Sequence, residues 1–376
     1  MTNYASRNNL PLYLGIFMLK TPFTSLLILF TFGSFVHAAG TSAAEEMFAA
    51  YNKVFWDANS SQFREKSDSP KIESNFWMAA EELEMLEDVY EYGKDPNVLK
   101  QCIAYYNGFT DPNRFGTDWL SVEPGGHFND DMIWITIATM RLYQFTGETK
   151  YKEQAKKTFD AVWQRGWDEV LGGGIHWNRD KGGKTSCVNF PAGIAAVMLC
   201  DAFKDEAYLD KAKQLYFWAQ NNLVNKSKGI VWDNKSNNGE IGKVCLTYNQ
   251  GTYIGLAHLL YKRTNDVSYY NDANCAMTYA KRKFCHPNTN ILQNEDWCSD
   301  SMGFKGIFIR YASKFARENK LNVYTDWLRE NAKTVYANKR ADGLTYTNFN
   351  FKCPEGSIPA WAATPGVIIM QTNYEN

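Results

Sequence analysis

The 376-residue chain reads as an all-α protein, an (α/α)6 barrel of six inner and six outer helices. Three observations predict it. A pattern recurs in which an apolar helix and a short polar turn are followed by Tyr-x-x-x-Ala opening an amphipathic helix: Tyr151/Ala155, Tyr208/Ala212 and Tyr269/Ala273 mark it. Spacing of this order signals stacked helical hairpins. The two helices of each hairpin also differ in polarity. After Tyr151, the residues Ala155, Phe159 and Val162 keep one apolar stripe while Lys152, Lys156, Asp160 and Gln164 face away, as on a one-sided surface helix. The segment Met132 to Ala138, by contrast, is apolar nearly all round and must be covered on both sides. The third observation is the count. Inner helices are expected to start near Asn75, Asp130, Asn189, Tyr248, Met302 and Ser357, and outer ones near residues 96, 149, 206, 267 and 321. An N-terminal helix over about Ser42 to Asp57 is left to pair with the last inner one and close the ring. A helical solenoid would not need inner helices so uniformly buried.

In order along the chain, the first segment reads as an export signal. Lys20 precedes an apolar run from Phe23 to Val36, and Val36-His37-Ala38 is a small-residue cleavage site. The expected organisation is a signal peptide over 1–38 and a single (α/α)6 domain over 39–376, with translation starting at Met1 or Met18. The expected product is a secreted protein, or a periplasmic one in a Gram-negative bacterium, with no membrane span once the signal is removed. Removing residues 1–38 takes away Arg7 and Lys20 and no acid, leaving 38 basic against 41 acidic side chains. That balance gives no electrostatic footprint for nucleic acid. The eight cysteines all follow the signal, and export permits disulfides, with Cys285 and Cys298 the pair to test first. No CxxC or His-rich ligand spacing occurs, so neither a metal nor another cofactor is expected. The 15% aromatic content suits a large core and also a cleft that stacks on sugar rings.

The loops before the inner helices are long and rich in Gly and aromatics: Gly108 to Asn129, Gly172 to Trp177, Gly229 to Thr247 and His286 to Ser301. They should gather at one mouth of the barrel, the usual place for function on a rigid scaffold. Two adjacent acids, Asp130 and Asp131, stand where the first of these loops meets a helix. Like charges this close disfavour each other's ionised form. One acid kept protonated beside one kept charged is what glycoside hydrolysis requires, and neighbours on one helical turn suit the shorter carboxyl spacing of a retaining enzyme. Asp is also a preferred N-cap and first-turn residue, so spacing alone leaves capping open.

Several motifs then occur in a fixed order. Asn129-Asp130-Asp131-Met132-Ile133-Trp134 resembles the DD-M-x-W signature of glycoside hydrolase family 76, the endo-α-1,6-mannanases. Gly173-Gly174-Ile175-His176-Trp177, the Asn189 position, Thr247-Tyr248-Asn249-Gln250-Gly251 and Phe304-Lys305-Gly306-Ile307-Phe308-Ile309-Arg310-Tyr311 resemble further segments of that family. The resemblance spans roughly residues 70 to 370, and the family's fold is an (α/α)6 barrel. It implies Asp130 as nucleophile and Asp131 as general acid/base, acting on α-1,6-linked mannan or another mannose-containing glycan as a monomer. It also implies substrate contacts from Trp177, Asn189, Asp233, Tyr248, Asn249, Gln250 and Lys305. At Asp233 the sequence departs from the family, which often has Asp-Gly where Asn234 stands here. For Tyr248, Asn249, Gln250 and Asn189 a capping role is open, for Lys305 a snorkelling one. Trp134 could stack on sugar or pack in the core, and His127 and His176 lie in mouth loops with either role. The alternatives to hydrolysis are a cell-wall transglycosylase acting on mannoprotein or GPI glycans, a non-catalytic carbohydrate-binding protein, and a sugar epimerase. The epimerase would need a second histidine beside His258.

Overall fold

A computed structural model describes residues 42–374, so the expected signal over 1–38 lies outside the described residues. Twelve α-helices follow one another: α1 Ala43–Phe55, α2 Phe76–Gly93, α3 Pro96–Phe109, α4 Asn129–Thr146, α5 Thr149–Gly166, α6 Ser186–Phe203, α7 Glu206–Leu223, α8 Thr247–Thr264, α9 Val267–Lys283, α10 Phe304–Glu318, α11 Asn322–Ala337 and α12 Ala360–Asn373. The even-numbered helices form a closed inner ring in which each packs on the next and α12 returns to α2. The outer helices α3, α5, α7, α9 and α11 each pack on the inner helix before them, and α1 packs on α12. This is the (α/α)6 barrel read from the sequence, with the N-terminal helix closing it.

The hairpins are made by local chemistry. Four of the six inner helices end on a residue in the left-handed region, Lys94, Gly147, Lys204 or Asn265, followed at once by an acid, Asp95, Glu148, Asp205 or Asp266. Asp95, Asp205 and Asp266 accept from backbone N–H groups of the outer helix they open. The left-handed residue stops one helix and the acid caps the next, so the turn needs only two residues. The Tyr and Ala marks fall on the buried faces of α5, α7 and α9. Inner helices approach closely: a Cβ on Gly251 of α8 would lie 2.5 Å from the Phe308 Cα of α10.

The other end of the barrel is built differently. The segments 110–128, 167–185, 224–246, 284–303 and 338–359 connect outer to inner helices there, with only short strands, the largest group joining 184–185, 234–235 and 241–242. All eight cysteines are unpaired, Cys285 and Cys298 included. Cys285 bridges to Leu292 through its backbone, whereas Cys298 turns back to Ser301, so the pair proposed for a disulfide is not joined. Helix α6 is long and apolar enough to cross a membrane, but 83% of it is buried within the barrel wall.

Candidate active site

The long loops and the first turns of the inner helices enclose a cleft of about 1130 Å³. Ordinary small-molecule pockets hold roughly 300–1,000 Å³. Asp130, Asp131 and Trp134 of α4 form part of its floor, with Trp77 of α2, Cys187 of α6, Tyr248 of α8 and Phe304 of α10 around them. Tyr248 and Phe304 stack at 4.0 Å, Trp134 lies 6.4 Å from Tyr248, and Trp77 lies 6.1 Å from Phe304. An aromatic wall beside a carboxylate pair suits a ligand with flat apolar faces and many hydroxyls.

The acids do not cap α4. Its N-cap position is Phe128, without a side-chain capping bond. Asp130 Oδ2 accepts instead from Trp177 Nε1 and from Cys187 Sγ, both at 3.1 Å, while its Oδ1 is buried without a partner. Asp131 is 9% exposed. No Lys or Arg forms an ion pair with either acid among the described residues, and Lys235 of the cleft wall bonds Asn222. Burial therefore pushes both carboxyls up. Asp130 rises to about 6, restrained by the Cys187 and Trp177 hydrogen bonds and by first-turn backbone N–H groups. Asp131 is raised well above the usual range by burial, by Asp130 and by Asp300. Near neutral pH the pair holds one charged and one protonated carboxyl.

The remaining expected site residues divide into two groups. Trp177 and Tyr248 line the cleft, and so does Asp233, whose carboxylate accepts from Asn249 Nδ2 at 2.9 Å and Asn234 Nδ2 at 2.8 Å. Asn249 is fully buried and reaches the cleft only through Asp233. Asn189, Gln250 and Lys305 do not line the cleft; backbone groups of the frame hold their side chains. Helix α6 starts at Ser186, three residues earlier than expected, so Asn189 lies inside its first turn. Its carboxamide accepts from Ile175 N and donates to the Ile175 and Thr185 carbonyls, pinning the Gly-rich loop. Gln250 accepts from Val231 N and donates to the Gly229 and Ala276 carbonyls. Lys305 is buried rather than snorkelling and donates to the Gln293 and Thr347 carbonyls of two separate loops. Buried polar groups bonded to backbone partners in this way stabilise the frame.

Neither mouth histidine lines the cleft. His176 is buried between Asp168 and the Gly183 carbonyl, and His127 faces Asp180 at 3.5 Å. His258 pairs with Glu318 away from the cleft, so the histidine pair an epimerase would use is not there among the described residues. Two residues with a bearing on the acids were not singled out from the sequence: Asp300, which raises Asp131, and Cys187, counted only as a potential disulfide partner. A carboxylate placed just before the F-K-G segment was the one available signal for Asp300. Cys187 carried none.

With this geometry in place, comparison with known proteins is informative. The sequence matches the description "Glycosyl hydrolase family 76" over residues 36–372. The chain belongs to glycoside hydrolase family 76. Among solved family 76 structures, the GH76A α-1,6-mannanase of Salegentibacter sp. HEL1_6 is 32% identical, covers 88% of this chain and 98% of its own, and superposes with a TM-score of 0.79. A variant of that mannanase, inactivated by changing two consecutive aspartates to asparagine and bound to α-1,6-mannotriose, is 30% identical over 88% and 98% of the chains, with a TM-score of 0.78. Dfg5 of Chaetomium thermophilum, solved with glucosamine, shares the fold at 14% identity, 88% coverage of both chains and a TM-score of 0.69. Comparison with curated protein sequences gives no match.

Proposed function

We propose that this family 76 protein is a retaining endo-α-1,6-mannanase, with Asp130 as nucleophile and Asp131 as general acid/base. The observation that carries the reading is the unequal environment of the two neighbouring acids at the floor of an aromatic-walled cleft. Two carboxyls whose surroundings push their proton affinities apart divide into a charged group and a proton donor. The α-1,6-mannooligosaccharide bound by the Salegentibacter enzyme supports the substrate class.

In this mechanism the Asp130 carboxylate attacks the anomeric carbon while Asp131 gives its proton to the leaving glycosidic oxygen. A mannosyl ester on Asp130 results, and Asp131 is left ionised beside a neutralised neighbour. It then takes a proton from water, whose oxygen attacks the same anomeric carbon and releases Asp130. Two displacements at one carbon retain its configuration. Trp134, Tyr248 and the exposed face of Trp177 offer stacking surfaces, and Asp233, oriented by Asn249 and Asn234, offers an acceptor for sugar hydroxyls. An acceptor mannoside in place of water would make the same site a transglycosylase.

The test is incubation with linear α-1,6-mannan, following the anomeric form of the first product by NMR, with and without an acceptor mannoside. Internal cleavage with retained configuration is the expected result. Absence of cleavage by the unaltered protein sinks the substrate assignment, and an inverted first product sinks the double displacement. Export, with cleavage after Ala38, belongs to the same reading, and mass determination of the mature N-terminus checks it.

A further inference from the structure

The nucleophile's two oxygens are treated differently by the fold. Oδ2 is saturated by two donors, while Oδ1 has none. One donor, the Trp177 indole, belongs to a motif already assigned to the site. The other is a thiol. Cys187 is the second residue of α6, is 5% exposed, and lies 3.1 Å from both Asp130 Oδ2 and Thr185 Oγ1. Its position is set by construction: Asn189, one half-turn on, locks the start of α6 to the Ile175 backbone. Burial, together with the charges of Asp130 and Asp233, pushes the thiol up, so it keeps its proton. A neutral, buried S–H is a hydrogen-bond donor and not a competing nucleophile.

We propose that Cys187 is a positioning residue: its thiol, acting through Oδ2, fixes the orientation of the Asp130 carboxyl and favours its charged form. The inference rests on the reading of Asp130 as nucleophile. The carboxyl also accepts from first-turn backbone N–H groups, and the other side chains grouped around the acid pair and Cys187 are acids or neutral. They are Asp131 on the same helix, Asp300 from the loop before α10, Asp233 from the loop before α8, and the Tyr248 hydroxyl, held protonated by burial. With no cation paired to either acid among the described residues, the two side-chain donors share with the first-turn backbone N–H groups the task of keeping one acid charged. Sulfur is a weaker donor than oxygen, so the acidity of Asp130 should follow the strength of the group at position 187.

The experiment compares the unaltered protein with Cys187→Ala and Cys187→Ser. The acid limb of kcat/KM on a soluble α-1,6-mannooligosaccharide is measured, together with the titration of the Asp130 carboxyl by carbon NMR, assigned through Asp130→Asn. In Cys187→Ala the Asp130 midpoint should rise by about one pH unit and kcat should fall about tenfold, with KM little changed. In Cys187→Ser the midpoint should fall below that of the unaltered protein. An Asp130 midpoint that does not move in folded Cys187→Ala overturns the proposal. If that variant does not fold, an unmoved midpoint in Cys187→Ser overturns it. Should the unaltered protein fail to cleave α-1,6-mannan, the functional reading fails, and the carboxyl titration still decides whether Cys187 sets the state of Asp130.

Discussion

Two groups of buried carboxylates occupy the same barrel. Towards the far ends of the inner helices, Glu81, Glu84, Glu87 and Asp88 of α2 are at most 1% exposed. Two arginines enter among them. Arg310 Nη1 donates to Glu81 at 2.8 Å and its Nε to Asp88 at 2.7 Å, and Arg141 Nη2 donates to Asp88 at 2.8 Å and Glu91 at 3.0 Å. At the mouth, Asp130 is half-buried and Asp131 buried, with neutral donors or with further acids. The consequence is clearest in Glu91 and Asp131. Burial works to raise Glu91, but Arg141 and Lys314 outweigh it and hold that carboxyl at about 2. Nothing cationic offsets burial at Asp131, which is raised well above its ordinary range. Depth alone therefore does not decide the state of an acid: with the same arginines nearby Glu91 is held low, while burial still lifts Glu81 to about 8 and Glu87 well above the usual range.

The largest effect that would break this contrast is on activity. Asp131→Asn should lower kcat by about 10²- to 10⁴-fold, as expected for loss of a general acid. Substrates with an activated leaving group should lose less, because they need less protonation. Equal losses on both would deny Asp131 the proton-donor role. Next comes Arg310→Ala, which strands Glu81 and Asp88 without their cation. It should cost about 3–5 kcal/mol of stability in urea unfolding, and a cost below about 1 kcal/mol would mean that the arginine does not silence these acids. The pH profile sharpens the contrast further. The acid limb of kcat/KM should fall below about pH 6, where Asp130 gains its proton, and the alkaline limb should report loss of the Asp131 proton. A profile flat from pH 4 to 7 would contradict it.

The smallest effect concerns stability and has opposite signs in the two regions. Glu91 is lowered on folding, so its contribution is present above the unfolded value and is lost as pH falls towards about 2. The acid pair is raised on folding. The folded state keeps protons that the unfolded chain releases, so the pair costs stability as pH climbs above about 4. Asp131→Asn should accordingly unfold about 1 kcal/mol harder than the unaltered protein at pH 7. The gap should close near pH 3. Thermal unfolding at both pH values measures it, and a variant less stable at pH 7 would refute the sign.

Much of the architecture was legible because it is written in periodicity and caps. Tyr151, Tyr208 and Tyr269 announce buried faces of outer helices, and the Lys94-Asp95 and Asn265-Asp266 pairs stop one helix and start the next through their own backbone and side-chain chemistry. Of the motif residues, Asp130, Asp131, Trp177 and Tyr248 line the cleft. At Asn189, Gln250 and Lys305 a polar residue in a motif is held by the frame and does not line the cleft. Which backbone a carboxamide or ammonium meets depends on loops brought in from other parts of the chain, such as those carrying Ile175, Gly229 and Thr347. Local sequence cannot separate that use from sugar binding.

The sequence by itself determined the helical hairpins, their inner and outer polarity, and the adjacency of two acids, since these follow from side-chain pattern and covalent order. Only the tertiary structure decided that the acids do not cap their helix, that Trp177 and Cys187 both reach Asp130, and that Asp300 faces Asp131. The state of a carboxyl is set by burial and by the groups around it, and here those groups come from elements far apart in the chain.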